Sequence, residues 1–371
     1  MSIIVSSFNQ DHSHLAIGTR LGWRIFSCEP FASRTASSET GVSAIQMLFS
    51  SALVALVGAG ERAGESPRKL RLWNTYTETA VGPELCFPTA VLNVQMNRLR
   101  LVVVLESALH IFDLMSMQHL HTLPTSPNPL GLAALSPDPD MCHCATLTSD
   151  GKEGRVVLYD VRTMHALNTV VAHRSALHCL CLSSRGDLLA TASEKGTVVR
   201  VHSVPSGSLL YTFRRGSFRT TIHSLCFSPT AVGDGADDGA AAAAAAAAPG
   251  GMMLCAASST TVHVWQLDAQ RGASTPRDST ASMPNVGAWP AWLPVPAERD
   301  FAFVRLKLAP NTRCHAAICA APPNADGSSR GHFSLFVVTE QGAWLSYDLD
   351  ALRGGECKLQ DERRLLSPNE R

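Results

Sequence analysis

A short pattern recurs seven times along this chain: an apolar residue, a variable one, a second apolar residue, then an aromatic residue or histidine. The copies are Trp23-Arg24-Ile25-Phe26, Leu70-Arg71-Leu72-Trp73, Leu109-His110-Ile111-Phe112, Val156-Val157-Leu158-Tyr159, Val199-Arg200-Val201-His202, Val262-His263-Val264-Trp265 and Trp344-Leu345-Ser346-Tyr347. A period of two, rich in β-branched and aromatic side chains, marks a strand. The first four steps between copies are 47, 39, 47 and 43 residues, close to the period of a four-stranded propeller blade. The last two steps are longer, and each contains an insertion. One is 231–251, with a run of nine alanines; the other is 268–298, rich in Ser, Pro and Ala.

Other strands precede the copies, at 14–18, 53–57, 99–105, 188–193 and 254–258. Earlier still come apolar runs ending in Leu135-Ser136-Pro137, Leu182-Ser183-Ser184 and Phe227-Ser228-Pro229. Strands buried on both faces between neighbouring blades account for such apolar runs, and radial stacking leaves few free edges. Long helical patterns are absent. The expected fold is therefore all-β: a single seven-bladed β-propeller of WD-repeat type over 1–371. The alanine run, flanked by Gly and Pro, reads as a low-complexity surface loop of blade 6.

Composition narrows the function. Lys+Arg and Asp+Glu both number 31. A formal charge of zero provides no bulk pull toward nucleic acid, so any anion site must be local. The first 15 residues lack a basic segment followed by an apolar one, so no signal peptide is expected. Apolar stretches such as 52–59 and 101–105 fall well short of a membrane span. Eleven cysteines without a signal suggest free thiols in a reducing compartment, with the cytoplasm as the expected location.

One local anion site stands out. Leu209-Leu210-Tyr211-Thr212-Phe213 reads as the outer strand of blade 5, and Arg214-Arg215-Gly216 follows. Successive strand side chains point to opposite faces, so the two arginines serve different pockets. Arg200 and His263 hold the same repeat position in blades 5 and 6 and flank the pair. Ser193, Lys195 and Thr197 accompany Arg200; Ser258, Thr260 and Thr261 accompany His263. Guanidinium forks for phosphate oxygens and small hydroxyls for ring hydroxyls suit a phosphorylated inositol. A solvated surface Arg-Arg is the bland alternative: Arg24 and Arg71 share the repeat position of Arg200 with no such pair beside them.

Phe213-Arg214-Arg215-Gly216 resembles the FRRG signature of the PROPPIN family, the WIPI-like propellers that bind polyphosphoinositides. Ala172-His173-Arg174-Ser175-Ala176-Leu177, the stretch Leu188 to Thr197, and Ile222-His223-Ser224-Leu225-Cys226-Phe227-Ser228-Pro229 extend the likeness over roughly 170–230. The resemblance implies two sites for phosphatidylinositol 3-phosphate and phosphatidylinositol 3,5-bisphosphate. The first would use Arg214 with His173, Ser193, Lys195, Thr197 and Arg200. The second would use Arg215 with Ser258, Thr261, His263 and Arg305. The family's cationic turn before the blade 6 strand is missing here, where Ser258-Ser259-Thr260-Thr261 is shorter, so a weaker second site is expected.

The resemblance also places a membrane-inserting loop at 268–298, between the third and fourth strands of blade 6. Trp289, Trp292 and Leu293 would be its wedge, since Trp favours the membrane interface. An unstructured linker is the alternative. By the same resemblance, the chain would recruit lipid-transfer or conjugation proteins of autophagy to preautophagosomal, endosomal or vacuolar/lysosomal membranes.

Other motifs carry less. Gly327-Ser328-Ser329-Arg330-Gly331 fits a nucleophile-elbow pattern but lacks the strand before and helix after that the motif needs. Gly58-Ala59-Gly60 leads to Pro67 and a strand, so it reads as a hairpin connection. Cys142-His143-Cys144 and Cys179-Leu180-Cys181 lack the spacing of zinc ligands and read as buried thiols. The leading expectation is a phosphoinositide effector without cofactor or metal. A protein-interaction scaffold without lipid binding is the alternative. An enzyme ranks third, for want of a convergent site.

Overall fold

All seven copies of the repeat form the third strand of a four-stranded antiparallel blade: Trp23–Cys28, Lys69–Asn74, Ala108–Asp113, Arg155–Asp160, Val198–Ser203, Thr261–Leu267 and Ala343–Asp350. The structure is a computed structural model. It describes residues 2–38, 40–62, 65–229, 251–267, 298–309, 311–320 and 332–366. Among these residues there is no helix. The seven sheets make a seven-bladed propeller, as the repeat predicts.

Blade 5 runs from its inner strand Leu177–Leu182 through Leu188–Ser193 and Val198–Ser203 to its outer strand Leu209–Arg214. Blade 6 consists of Ile222–Phe227, Met252–Ser258, Thr261–Leu267 and Ala302–Arg305. A short fifth strand, Gly355–Glu356, pairs parallel to the outer strand of blade 6. The alanine-rich segment falls between the first two strands of blade 6, and 268–297 between its third and outer strands. Both lie outside the described residues, except for Gly251 and Glu298 at their ends.

The core lies between blades. In the second strand of blade 3, Leu101 and Val103 join one apolar cluster while Val102 and Val104 join the next. Side chains alternate across a strand, so a strand packed on both faces must be apolar at every position. Each such Leu or Val contributes about 1.5–3 kcal/mol by leaving water. Outer strands such as Thr79–Cys86 are largely exposed and carry polar residues.

Blade 1 is built wholly from the N-terminal stretch, Val5 to Ser37, and blade 7 wholly from 314–364. Among the described residues no strand crosses the seam between them. A backbone hydrogen bond from Ile3 N to the Glu340 carbonyl, 2.7 Å, joins the two. Side chains do the rest. Phe31 packs on Trp344 with ring centroids 5.1 Å apart, and the Arg363 guanidinium lies 4.9 Å from the centre of the Phe31 ring. Ser334 donates to Glu29 at 2.9 Å.

Candidate functional site

The outer strand of blade 5 sorts its side chains by parity. Phe213 is fully buried and stacks on Trp265 of blade 6 at 5.1 Å, while Arg214 is exposed. Arg214 pairs with Val198, Arg200 with Thr212, and Thr191 with Arg200. Residues opposite one another in an antiparallel ladder share a face. Thr191, Ser193, Arg200 and Arg214 therefore point the same way. Leu189, on that face too, shares a core with Val156 and Leu158 of blade 4. Ala190, Val199 and Phe213 point the other way, into a core shared with blade 6. Arg214 thus looks toward blade 4.

Arg215 follows with the opposite parity. Its Nε donates to the Gly196 carbonyl at 2.6 Å, and its Nη2 donates to the Phe218 carbonyl. Its charge reaches His263 of blade 6, whose pKa it helps to lower. Gly196 is required here: its φ is +57°, and a Cβ would lie 1.7 Å from the Thr220 carbonyl oxygen. Among the described residues the two guanidiniums bond Ser217, Gly196 and Phe218 and no carboxylate.

The groove on the blade 4 side is cationic and layered. Arg200 Nη1 donates to the Ala172 carbonyl at 2.5 Å; its Nε is buried without a hydrogen-bond partner. His173 is buried, with Nε2 3.1 Å from Thr191 Oγ1. Burial first, then the Arg200 charge, drive its pKa down to about 4, so it is neutral at pH 7. Ser193 is also buried, Thr197 half-buried and Lys195 exposed. The Thr197 carbonyl accepts the N–H of Arg215 at 3.0 Å, fastening the turn before Arg200 to the arginine pair. Arg174, exposed, depresses the Arg200 pKa through its charge, after burial. It adds a cation that the sequence reading did not single out.

The groove on the blade 6 side mixes charges. Thr261 pairs with Arg305 and His263 with Phe303, so these four share a face. Ala256, the partner of His263, packs with blade 5, so this face looks toward Arg215. The Ser258 hydroxyl is buried and donates to the Thr261 carbonyl at 2.9 Å. His263 lies between the Thr261 hydroxyl, 2.9 Å from Nε2, and Asp300, 3.0 Å from Nδ1. Burial outweighs Asp300 and lowers the His263 pKa. The ring is thus neutral at pH 7, with Nδ1–H donating to the carboxylate and Nε2 accepting from Thr261. Arg305 lies over Phe303 at 5.1 Å and 3.7 Å from Glu356. Asp300 and Glu356 bring acids into this groove that the sequence reading did not place there. The hairpin before Thr261 spans two residues, against four in blade 5.

A third element meets the same edge. Glu298 N donates to the Thr212 carbonyl at 2.9 Å, so the end of the 268–297 segment is tied to the outer strand of blade 5. Trp289, Trp292 and Leu293 lie outside the described residues. Phe218, two residues past the FRRG motif, is 85% exposed. Beside it Arg219 pairs with Glu194 at 3.2 Å. The Cys-x-Cys pairs are free thiols; Cys142 and Cys144 are buried, and Cys179 and Cys181 are half-buried.

The chain is similar to known proteins along nearly its whole length. A family model described as PROPPIN matches residues 2–238. Autophagy-related protein 18 of Yarrowia lipolytica is 33% identical over 416 aligned residues, spanning 98% of this chain and 97% of that protein. Kluyveromyces lactis Hsv2 superposes with a TM-score of 0.72 at 17% identity, over 98% of this chain and 99% of that one. KlAtg21, solved in complex with the coiled-coil of AgAtg16, superposes at 0.70 with 22% identity, over 99% of this chain and 100% of that one. The chain belongs to the PROPPIN family of autophagy-related β-propellers.

Proposed function

We propose that this chain is a binding protein that reads phosphatidylinositol 3-phosphate and phosphatidylinositol 3,5-bisphosphate on cytoplasmic membranes, with one headgroup in each groove beside the outer strand of blade 5. One observation carries this reading: consecutive arginines, 214 and 215, face different grooves, and among the described residues neither is neutralised by a carboxylate. In the first groove Arg214, Lys195, Arg174 and Arg200 supply positive charge for the phosphate, and Thr197 adds a hydroxyl. Buried His173 and Ser193 position this set from behind. In the second groove Arg215, Thr261, His263 and Arg305 serve, against the opposing charges of Asp300 and Glu356.

Apolar contacts complete the surface. Phe218 stands in solvent beside the arginines, and the 268–297 segment, with Trp289, Trp292 and Leu293, returns to the same strand edge at Glu298. Once one contact is made the others become intramolecular, and avidity gains about a hundred- to ten-thousandfold. Each cation near an anionic leaflet adds about 1 kcal/mol. Among the described residues no helix is long and apolar enough to cross a membrane, which favours surface attachment. The bound propeller then recruits lipid-transfer or conjugation proteins of autophagy to preautophagosomal, endosomal or vacuolar/lysosomal membranes. The solved complex of KlAtg21 with a coiled-coil supports a protein partner of that kind.

Liposome flotation across the phosphoinositides tests the reading. Wild type should float with the two named lipids, and the Arg214→Thr/Arg215→Thr double variant should stay in the soluble fraction while still unfolding cooperatively. Equal flotation by the double variant overturns it and leaves a scaffold.

A further inference from the structure

The inner strands of all seven blades line a cavity of about 210 Å³ on the ring axis. Its wall carries a thiol and an imidazole that headgroup binding does not use: Cys226 of blade 6 and His12 of blade 1. His12 sits in the turn between the first two strands of blade 1 at φ +61°. From there it reaches across the seam. Its Nδ1 lies 2.8 Å from the Ile318 carbonyl of blade 7. A carbonyl only accepts, so Nδ1 carries a proton. Nε2, the remaining nitrogen, lies 3.4 Å from Cys226 Sγ. Phe8 holds the ring edge-on at 6.2 Å.

Cys226 has a second thiol beside it. Cys255 is its partner across the antiparallel ladder. Opposed residues have Cα atoms about 4.5–5.5 Å apart and side chains on one face, within the span a disulfide bridges. Cys226 is in contact with the cavity, whereas Cys255 is fully buried behind it.

The electrostatics agree with this geometry. Burial pulls His12 down, yet the charge and hydrogen bond of Cys226 lift it above the ordinary histidine value. The neighbouring Cys255 thiol and the His12 cation, against burial, hold Cys226 well below the usual thiol value. Cys255 is pushed well above it. Cys314 shows what burial alone does: it is pushed up to about 12.

We propose that Cys226 is a hydroperoxide-reactive thiol of the axial cavity, that His12 is its proton acceptor, and that it forms a reversible disulfide with Cys255. The Cys226 proton passes to His12 Nε2. The thiolate attacks one oxygen of hydrogen peroxide, the O–O bond breaks, and the leaving hydroxide takes the proton back from His12 as water. Sulfur is oxidised to sulfenic acid and peroxide is reduced. Cys255 then attacks that sulfur; the S–S bond forms, the S–OH bond breaks, and the second water carries off the Cys255 proton. Two thiols and one peroxide give one disulfide and two waters. Two equivalents of a small thiol reductant reverse the step by exchange.

The test uses the full chain, reduced and then exposed to hydrogen peroxide, followed by alkylation and peptide mapping. A crosslinked peptide joining Cys226 to Cys255 is expected, lost on adding a small thiol. In Cys255→Ser the sulfenic acid should persist at Cys226 and be trapped by dimedone. His12→Asn, a residue that tolerates positive φ, should slow alkylation of Cys226 about tenfold. Wild-type Cys226 should react faster than the exposed Cys86, with most of its rate retained at pH 6. A Cys226 no faster than Cys86, or no crosslinked peptide, overturns the proposal, and this wild-type comparison decides it even where a variant fails to fold.

Discussion

The backbone N–H of Arg214 donates to the carbonyl of Glu298 at 2.9 Å. The bond ties the first arginine of the pair to the residue where the 268–297 segment rejoins the fold. Phe213 and Glu298 form a parallel bridge at the same point. One strand edge therefore borders both grooves and carries the return of the blade 6 insertion. A flat membrane could meet all three together.

The two grooves should separate by single substitution. Arg214→Thr and Arg215→Thr should each cut the stoichiometry for soluble inositol 1,3-bisphosphate from two to one in titration calorimetry. Arg215→Thr should also lower the melting temperature more, because it strands the carbonyl of the buried Gly196, at about 1 kcal/mol. A stoichiometry that stays at two in either variant contradicts the assignment.

Asp300 places a negative charge beside His263. Asp300→Asn should tighten the weaker of the two headgroup sites, roughly three- to tenfold for a charge about 6 Å from a phosphate in a half-wet groove. The first site should not change. An unchanged or weakened second site would place the phosphate elsewhere.

Phe218→Ser should weaken liposome binding while leaving soluble headgroup affinity intact. Burying one Phe contributes about 1.5–3 kcal/mol, so a loss of roughly ten- to a hundredfold is expected in flotation or sedimentation. Phe218→Trp should show a blue-shifted emission only with lipid present.

Acid should destabilise the fold through two histidines beside Arg200. His173 and His202 are lowered to about 4 from an ordinary 6.5, by burial first; Arg200 then acts on His173, and His173 and Arg200 on His202. Below pH 6.5 the unfolded chain takes up protons that the folded one refuses. Their contribution is therefore complete above pH 6.5, falls between 6.5 and 4, and levels off below 4. The scale is about 1.4 kcal/mol for each tenfold difference in proton affinity between the folded and unfolded chain. Melting temperatures from pH 7 to 4.5 should drop less steeply in His202→Asn than in wild type.

The architecture was legible because a blade repeats. Val201 and Val264 hold corresponding ladder positions in successive blades, so their shared pattern marks the third strand wherever it occurs. The opposed directions of Arg214 and Arg215 were legible for a similar reason, since strand parity is local. What the chain hid was long-range. Asp300 lies 37 residues from His263, across an insertion of irregular composition, and nothing in either segment announces the pairing. Glu356 joins the Arg305 groove through a two-residue strand supplied by the last blade, too short to leave a pattern. Ser258 was legible as a hydroxyl of this groove, but its bond back to the Thr261 carbonyl across the tight hairpin was not. Arg174 and Phe218 were visible as residues; their exposure was not.

The seam between blades 1 and 7 has a consequence for how the molecule assembles. Because no ladder spans it, nearly every hydrogen-bonded pairing can form before the two ends of the chain have met. The polypeptide is thus a horseshoe of finished blades that becomes a ring only when Phe31, Trp344 and His12 find their partners. Hydrogen exchange should show that junction opening before any blade interior does.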